Sequence, residues 1–234
     1  MIRHDVAQGT PEWLALRLGI PTASEFHKIL TPTGQFSKQS RGYAIRLATE
    51  HLLNRTLDTL TGLQWVDRGK ELEADAVKMY EFENDLQTEK IGFITNDEGT
   101  IGASPDRLII GRNGAVEIKC PAPHTHLEYM IDGFGKDYLP QVQGQMLIGE
   151  FEFVDRYSYS PEMPPVLVRT YRDAKFIAKL KDALAEFLDM KAEIIEIAKQ
   201  KGVYHRTEIV RTAQDIERGD REESESPFGD EEMF

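Results

Sequence analysis

Apolar residues recur along this chain at two periods, and the change of period divides it. The first third is helical. Thr10-Pro11-Glu12 has the form of a helix opening, with a hydroxyl cap, proline at the first helical position and an early acid. Trp13, Leu14, Leu16 and Leu18 follow before Gly19 ends the run. Thr22-Ala23-Ser24-Glu25 has capping-box spacing ahead of Phe26, Ile29 and Leu30. Residues 31–40, with Pro32 and Gly34, predict a flexible loop, and longer helices are predicted over 43–54 and 67–82. The middle alternates instead. Residues 92–95 and 101–103 read as short strands around a turn, and 107–110 and 115–120 as a strand pair around Gly111-Arg112-Asn113-Gly114. Beyond Pro121 a loop carrying His124 and His126 is expected. A helix at 139–149 and strands at 155–160 and 166–171 come next. The last element is a helix at 174–201, apolar at Ile177, Leu180, Leu184, Phe187, Leu188, Ile194 and Ile195 and closed by Gly202. There is no internal repeat.

Composition narrows the classes. A chain of 234 residues with 40% hydrophobic content can bury a sizeable core. No stretch approaches the length of apolar residues that spans a bilayer, and the first residues lack the apolar core of a signal peptide. One cysteine, Cys120, excludes an internal disulfide and a cysteine-clustered metal site. A protein without a membrane segment, in a reducing cytoplasm, is expected. The net charge of −12 argues against a DNA-binding role at first sight. Nine acids against Arg218 and Arg221 put −7 on residues 215–234, which leaves −5 on the first 214. Much of the acidity is therefore a tail, and an acidic body is compatible with a locally basic groove. The reading is a single domain over 1–212 and an acidic, disordered tail over 213–234.

The chemistry concentrates at Ser104-Pro105-Asp106 and Glu117-Ile118-Lys119. With Arg112 and Asn113 at the tip of the strand pair, Gly111 faces Gly114 and Asp106 falls opposite Lys119. Glu117 lies two residues from Lys119 on the same face, while Val116, Ile118 and Cys120 point to a core. Two carboxylates and an ammonium on one face suit phosphodiester hydrolysis. Anionic oxygens hold hard cations such as Mg²⁺, which activate a water and neutralise phosphate charge. Lys119 can orient the attacking water or stabilise the transition state, and the carbonyl of Ile118 is a further candidate ligand.

Four blocks in order extend this pattern: residues 13–24 (WLALRLGIPTAS), 68–76 (RGKELEADA), Ser104-Pro105-Asp106 through Glu117-Ile118-Lys119-Cys120-Pro121, and Gln141-Val142-Gln143. Together they resemble the Pro-Asp…(Asp/Glu)-x-Lys nuclease superfamily, PD-(D/E)xK, and within it the phage lambda exonuclease and YqaJ-type viral recombinase family, over roughly residues 8–150. The resemblance implies an α/β restriction-endonuclease-like core, a mixed central sheet flanked by helices. It implies a homotrimeric ring that degrades one strand of linear double-stranded DNA from the 5′ end, leaving 3′ overhangs for a single-strand-annealing recombinase partner in a bacterial host's cytoplasm. By position Asp106, Glu117 and Glu73 would hold two Mg²⁺ ions, with Mn²⁺ as a substitute, and Lys119 would be the catalytic lysine. Gln141 and Gln143 would line the site, and Arg17, Thr22, Ser24 and Ser104 would form a pocket for the terminal 5′ phosphate. A capped helix start and the guanidinium fork suit that anion.

Plainer roles remain open for several of these residues. Thr22 and Ser24 also serve as helix caps, and Arg17 as a surface arginine. Glu73 belongs to an acidic run with Glu71 and Asp75, and the two glutamines read equally as surface amides. His124 and His126 lack a third ligand nearby and are expected to be loop residues near DNA. Lys38, Arg41 and Arg46 either contact phosphates or solubilise. Trp13 and Trp65 read as packing residues. The final helix is expected on the sheet or at a subunit interface. The tail, with Phe228, Met233 and Phe234 among acids, aids solubility or docks a partner. Two rival functions stand beside the exonuclease: an endonuclease of the same superfamily, and a non-catalytic adapter for DNA ends.

Overall fold

The computed structural model describes residues 1–57 and 64–204, with 64–71 described as helical backbone alone. The expected boundary at 212 and the tail at 213–234 lie outside the described residues, as do the side chains of Trp65, Arg68, Lys70 and Glu71. In chain order the first elements are β1 (Ile2–His4), α1 (Pro11–Arg17), a 3₁₀ helix (Ala23–Lys28), α2 (Ser40–Leu53) and α3 (Gln64–Asn84). Then come β2 (Thr88–Lys90), β3 (Phe93–Thr95), β4 (Gly102–Ala103), β5 (Arg107–Ile109) and β6 (Gly114–Lys119). The last are α4 (Pro123–Asp132), a second 3₁₀ turn (Lys136–Tyr138), α5 (Leu139–Gly149), β7 (Phe153–Ser160), β8 (Met163–Tyr171) and α6 (Ala174–Gln200).

The central sheet has the order β2-β5-β6-β7-β8. Its β6–β7 pair is parallel and the other pairs are antiparallel. A parallel pair needs a long crossover, and residues 120–152 supply it with α4 and α5. The sheet is thus mixed, flanked by helices, as expected. One face of β6, Val116 and Ile118, packs with Ala76, Val77 and Tyr80 of α3. On the other side Ala115 joins Phe26, Val142, Met146 and Leu180 in the larger core. The strands at 93–95 and 102–103 join β1 in a separate three-stranded sheet. The first residues of the chain pair with β3 and give that short hairpin its own edge partner.

Helix ends follow local chemistry. Thr10 caps α1 by accepting from the N–H of Trp13, and Asp173 caps α6 by accepting from Lys175 and Phe176. Gly202, at φ +84°, follows α6. That helix packs mainly on α2 and α5 rather than on the sheet. Tyr43 meets Phe187 at 5.3 Å between ring centroids, and Lys191 Nζ donates to the carbonyl of Gly19.

Three local expectations are corrected. The β5–β6 register pairs Arg107 with Val116 and Leu108 with Ala115. Continued one step, it sets Asp106 across from Glu117 rather than Lys119. The turn sits one residue earlier because Gly111 takes a left-handed φ of +76°, which glycine adopts without strain. The shift is two residues, so every side chain keeps its face. The segment after Pro121 is α4, not a loop: Pro123 occupies its first turn, where no N–H is required. Finally, Thr22 precedes a 3₁₀ helix and its side chain makes no cap hydrogen bond.

Candidate active site

Asp106 enters from the link between β4 and β5, and Glu117 and Lys119 from central strand β6. The N–H of Ile118 donates to Asp106 Oδ2 at 2.6 Å, and the N–H of Asp106 donates to the carbonyl of Val116 at 3.1 Å. Glu117 is buried, at 4% exposure. Lys119 Nζ donates to its Oε1 at 2.6 Å, and Gln141 Nε2 donates to the same oxygen at 2.8 Å. Gln145 Nε2 donates to Oε2 at 2.7 Å. Desolvation by the surrounding protein pushes the Asp106 carboxyl well above its usual range, and the charge of Glu117 adds to this. Lys119 and the Ile118 N–H oppose the rise, and Glu73 contributes to it through space. Burial works to lower the Lys119 ammonium, but the charges of Glu117 and Asp106 outweigh it and hold it above its ordinary value.

The donor set fits a hard divalent cation. Two carboxylates share one side of the strand pair, one lysine offsets them, and Asp106 resists ionisation there, a penalty a cation would relieve. Glu73, half-buried on α3, reaches this site by its field and makes no hydrogen bond to it among the described residues. No group of three acids, histidines or cysteines forms a ready-made cage among the described residues.

A second cluster abuts the first. Arg17 donates from Nη1 to Ser104 Oγ at 3.5 Å and from Nη2 to Thr22 Oγ1 at 3.3 Å. Thr22 Oγ1 and Ser24 Oγ are 3.3 Å apart, so Arg17, Thr22, Ser24 and Ser104 converge. The N–H of Thr22 donates to Tyr43 Oη, leaving its hydroxyl to this cluster. Ser104 is two residues from Asp106, so at most about 7 Å of chain separates the clusters.

Trp13 was read as packing and belongs here as well. Its indole N–H donates to Ser104 Oγ at 3.0 Å and to the carbonyl of Gly92 at 3.1 Å, and the Arg17 guanidinium lies 4.1 Å from its ring centroid. The four-residue spacing of Trp13 and Arg17 on α1 is the signal that identifies such a pair. Gln143 lies elsewhere. Its Nε2 donates to the carbonyl of Tyr171 and its Oε1 accepts from the N–H of Asp173, so it ties β8 to the start of α6. Gln145 takes the place expected for it, because a helix repeats its face every three or four residues. His126 is fully buried on α4, bonded to Ser158 Oγ at 2.8 Å and the carbonyl of Pro164 at 3.0 Å, a structural rather than a surface position; His124 is exposed. No helix among the described residues is long and apolar enough to cross a membrane.

Comparisons with known proteins give the family and the fold. The YqaJ-like viral recombinase domain matches residues 12–152, which span all four sequence blocks. The alkaline exonuclease LHK-Exo from Laribacter hongkongensis is 31% identical, with a TM-score of 0.72 over 82% of this chain and 98% of that one. The same enzyme in complex with dAMP gives 30% identity and a TM-score of 0.73 over the same shares. A phage-related exonuclease from Haemophilus somnus 129PT, at 18% identity, shares the fold, with a TM-score of 0.60 over 76% of this chain and 95% of that one. A search of curated proteins gives no match. With the domain match covering more than half of its length, the chain belongs to the YqaJ-like viral recombinase family.

Proposed function

We propose that the chain is a Mg²⁺-dependent 5′→3′ exodeoxyribonuclease that degrades one strand of linear duplex DNA and leaves a 3′ overhang for recombination. The observation that carries the reading is the junction of two clusters: Ser104, hydrogen-bonded into the group of Arg17, Thr22 and Ser24, stands two residues of chain from Asp106 of the group with Glu117 and Lys119. Family membership and the likeness to an alkaline exonuclease support it. Asp106, Glu117, Glu73 and the carbonyl of Ile118 would hold two Mg²⁺ ions, or Mn²⁺ in their place. Bound cations of this kind neutralise the phosphate and lower the pKa of a coordinated water.

The chain's own groups do the rest. Lys119, held in its ammonium form, donates to a phosphoryl oxygen as negative charge develops there. Arg17 presents a fork of donors to the terminal phosphate, and the Thr22, Ser24 and Ser104 hydroxyls fill its remaining acceptors. Trp13 holds Ser104 and backs the Arg17 guanidinium, so the pocket is organised before the end arrives. Residues 1–212 acting as one nuclease domain, a homotrimeric ring around the duplex, a single-strand-annealing recombinase as partner and a bacterial cytoplasm complete the proposal. These rest on family likeness and sequence.

The test is digestion of linear duplex DNA in Mg²⁺ with a 5′-phosphorylated end, a 5′-hydroxyl end and a closed circle as substrates. Rapid loss of the 5′-phosphorylated strand alone is expected. Cutting of the circle would move the protein to the endonucleases, and no cleavage by folded protein would favour a DNA-end adapter.

A further inference from the structure

Glu117 receives three donors, and they divide unequally between its oxygens. Lys119 Nζ and Gln141 Nε2 both donate to Oε1, whereas Gln145 Nε2 donates to Oε2. A carboxylate oxygen offers about two lone-pair sites. Those of Oε1 are both occupied, and Oε2 has one left. Gln145 itself is buried at 1% exposure, and its own carbonyl oxygen is buried without a hydrogen-bond partner. Turned over, the amide would set that oxygen against a carboxylate oxygen, acceptor against acceptor. The stranded carbonyl therefore follows from aiming the N–H at Glu117.

We propose that Gln145 is the positioning residue of the cation site. It pins Oε2 so that the single open lone pair of Glu117 keeps one direction, the one in which a divalent ion binds. The inference rests on the reading above that Glu117 is a cation ligand. The last torsion of a glutamate is broad and roughly two-fold, so without a donor on Oε2 the carboxylate swings about its Oε1 contacts. Gln141 and Gln145 lie one helical turn apart on α5 and grip the carboxylate from the same helix face. Gln143, off that face, is committed to Tyr171 and Asp173. Groups that orient a metal ligand typically account for 10–100-fold in metal affinity or activity.

The experiment measures Mn²⁺ binding to the intact protein by titration calorimetry, beside metal-free thermal melting and cleavage of 5′-phosphorylated duplex. Gln145→Met keeps the length of the side chain and removes the donor. Gln145→Asn keeps the amide and withdraws it by one methylene. Each is expected to fold and to lose 10–100-fold in Mn²⁺ affinity, with cleavage partly restored as Mn²⁺ is raised. Unchanged Mn²⁺ affinity in either folded variant, while Asp106→Asn loses it, would overturn the role of Gln145 and leave the cation site standing. Failure of the wild-type protein to bind Mn²⁺ would instead overturn the cation site, and the inference with it.

Discussion

Burial raises two acids close to Lys119, the Asp106 carboxyl and the Cys120 thiol, and the two differ in what would follow. The raised Asp106 carboxyl means that the folded protein favours its protonated form. Its contribution to stability is present below the ordinary carboxylate range and is lost as pH rises through the raised value. A divalent cation restores that loss, so the gain in melting temperature on adding Mg²⁺ should be larger at pH 8 than at pH 5. In Asp106→Asn the difference between the two pH values should largely vanish; equal gains in the wild-type protein at both would count against a cation at Asp106. Cys120 packs against the α3-side core, where burial, then the charges of Glu73 and Asp106, push its thiol up to about 11. It should react with a thiol reagent far more slowly than an unstructured cysteine at pH 8, and Cys120→Ser should retain cleavage. Fast labelling of the folded protein would show the thiol is not so held.

The elements explain which of these residues were legible beforehand. Asp106, Glu117 and Lys119 could be grouped from sequence because strand alternation fixes a face, even with the register two residues out. Gln141 was named only through the family resemblance and Gln145 not at all, because which amides of α5 meet Glu117 depends on how that helix is turned against the sheet. Two prolines made α4 resemble a loop, although proline at the first turn starts a helix as readily as it ends one. Trp13 looked apolar because its role lies in one N–H. Gly144 shows how tightly α5 is set: a Cβ there would lie 2.4 Å from the Phe26 ring of the first 3₁₀ helix. Gly144→Ala should therefore destabilise the fold by about 1–3 kcal/mol, read as a lower melting temperature. An unchanged melt would mean that Phe26 yields without strain.

At the scale of the whole molecule, three regions distant in sequence meet at one place. Residues 13–24, 104–119 and 141–145 are brought together by the crossover between β6 and β7 and by packing of the first 3₁₀ helix on α5. A net charge of −12 hides this, since much of it falls on residues 215–234. The guanidinium of Arg17 is the one cation hydrogen-bonded into the hydroxyl cluster among the described residues. Arg17→Lys keeps that charge but removes the fork and the stacking on Trp13. It should reduce the preference for a 5′-phosphorylated end about tenfold, the loss of one charge-assisted hydrogen bond, while a 5′-hydroxyl substrate is cut at an unaltered rate. Equal slowing on both ends would mean that Arg17 serves the fold rather than the end.

The link Ser104-Pro105-Asp106 gives the molecule a built-in ruler. Its first residue belongs to the proposed seat of the strand's end and its last to the proposed cation site, and Pro105 in between is fixed in φ and buried. The distance from the held terminus to the bond being broken is then a property of three residues of backbone, the same at every turn of the reaction. Chromatography of the digest should show one product length throughout, whatever the DNA sequence. A spread of fragment lengths would mean that the strand is not measured from its end.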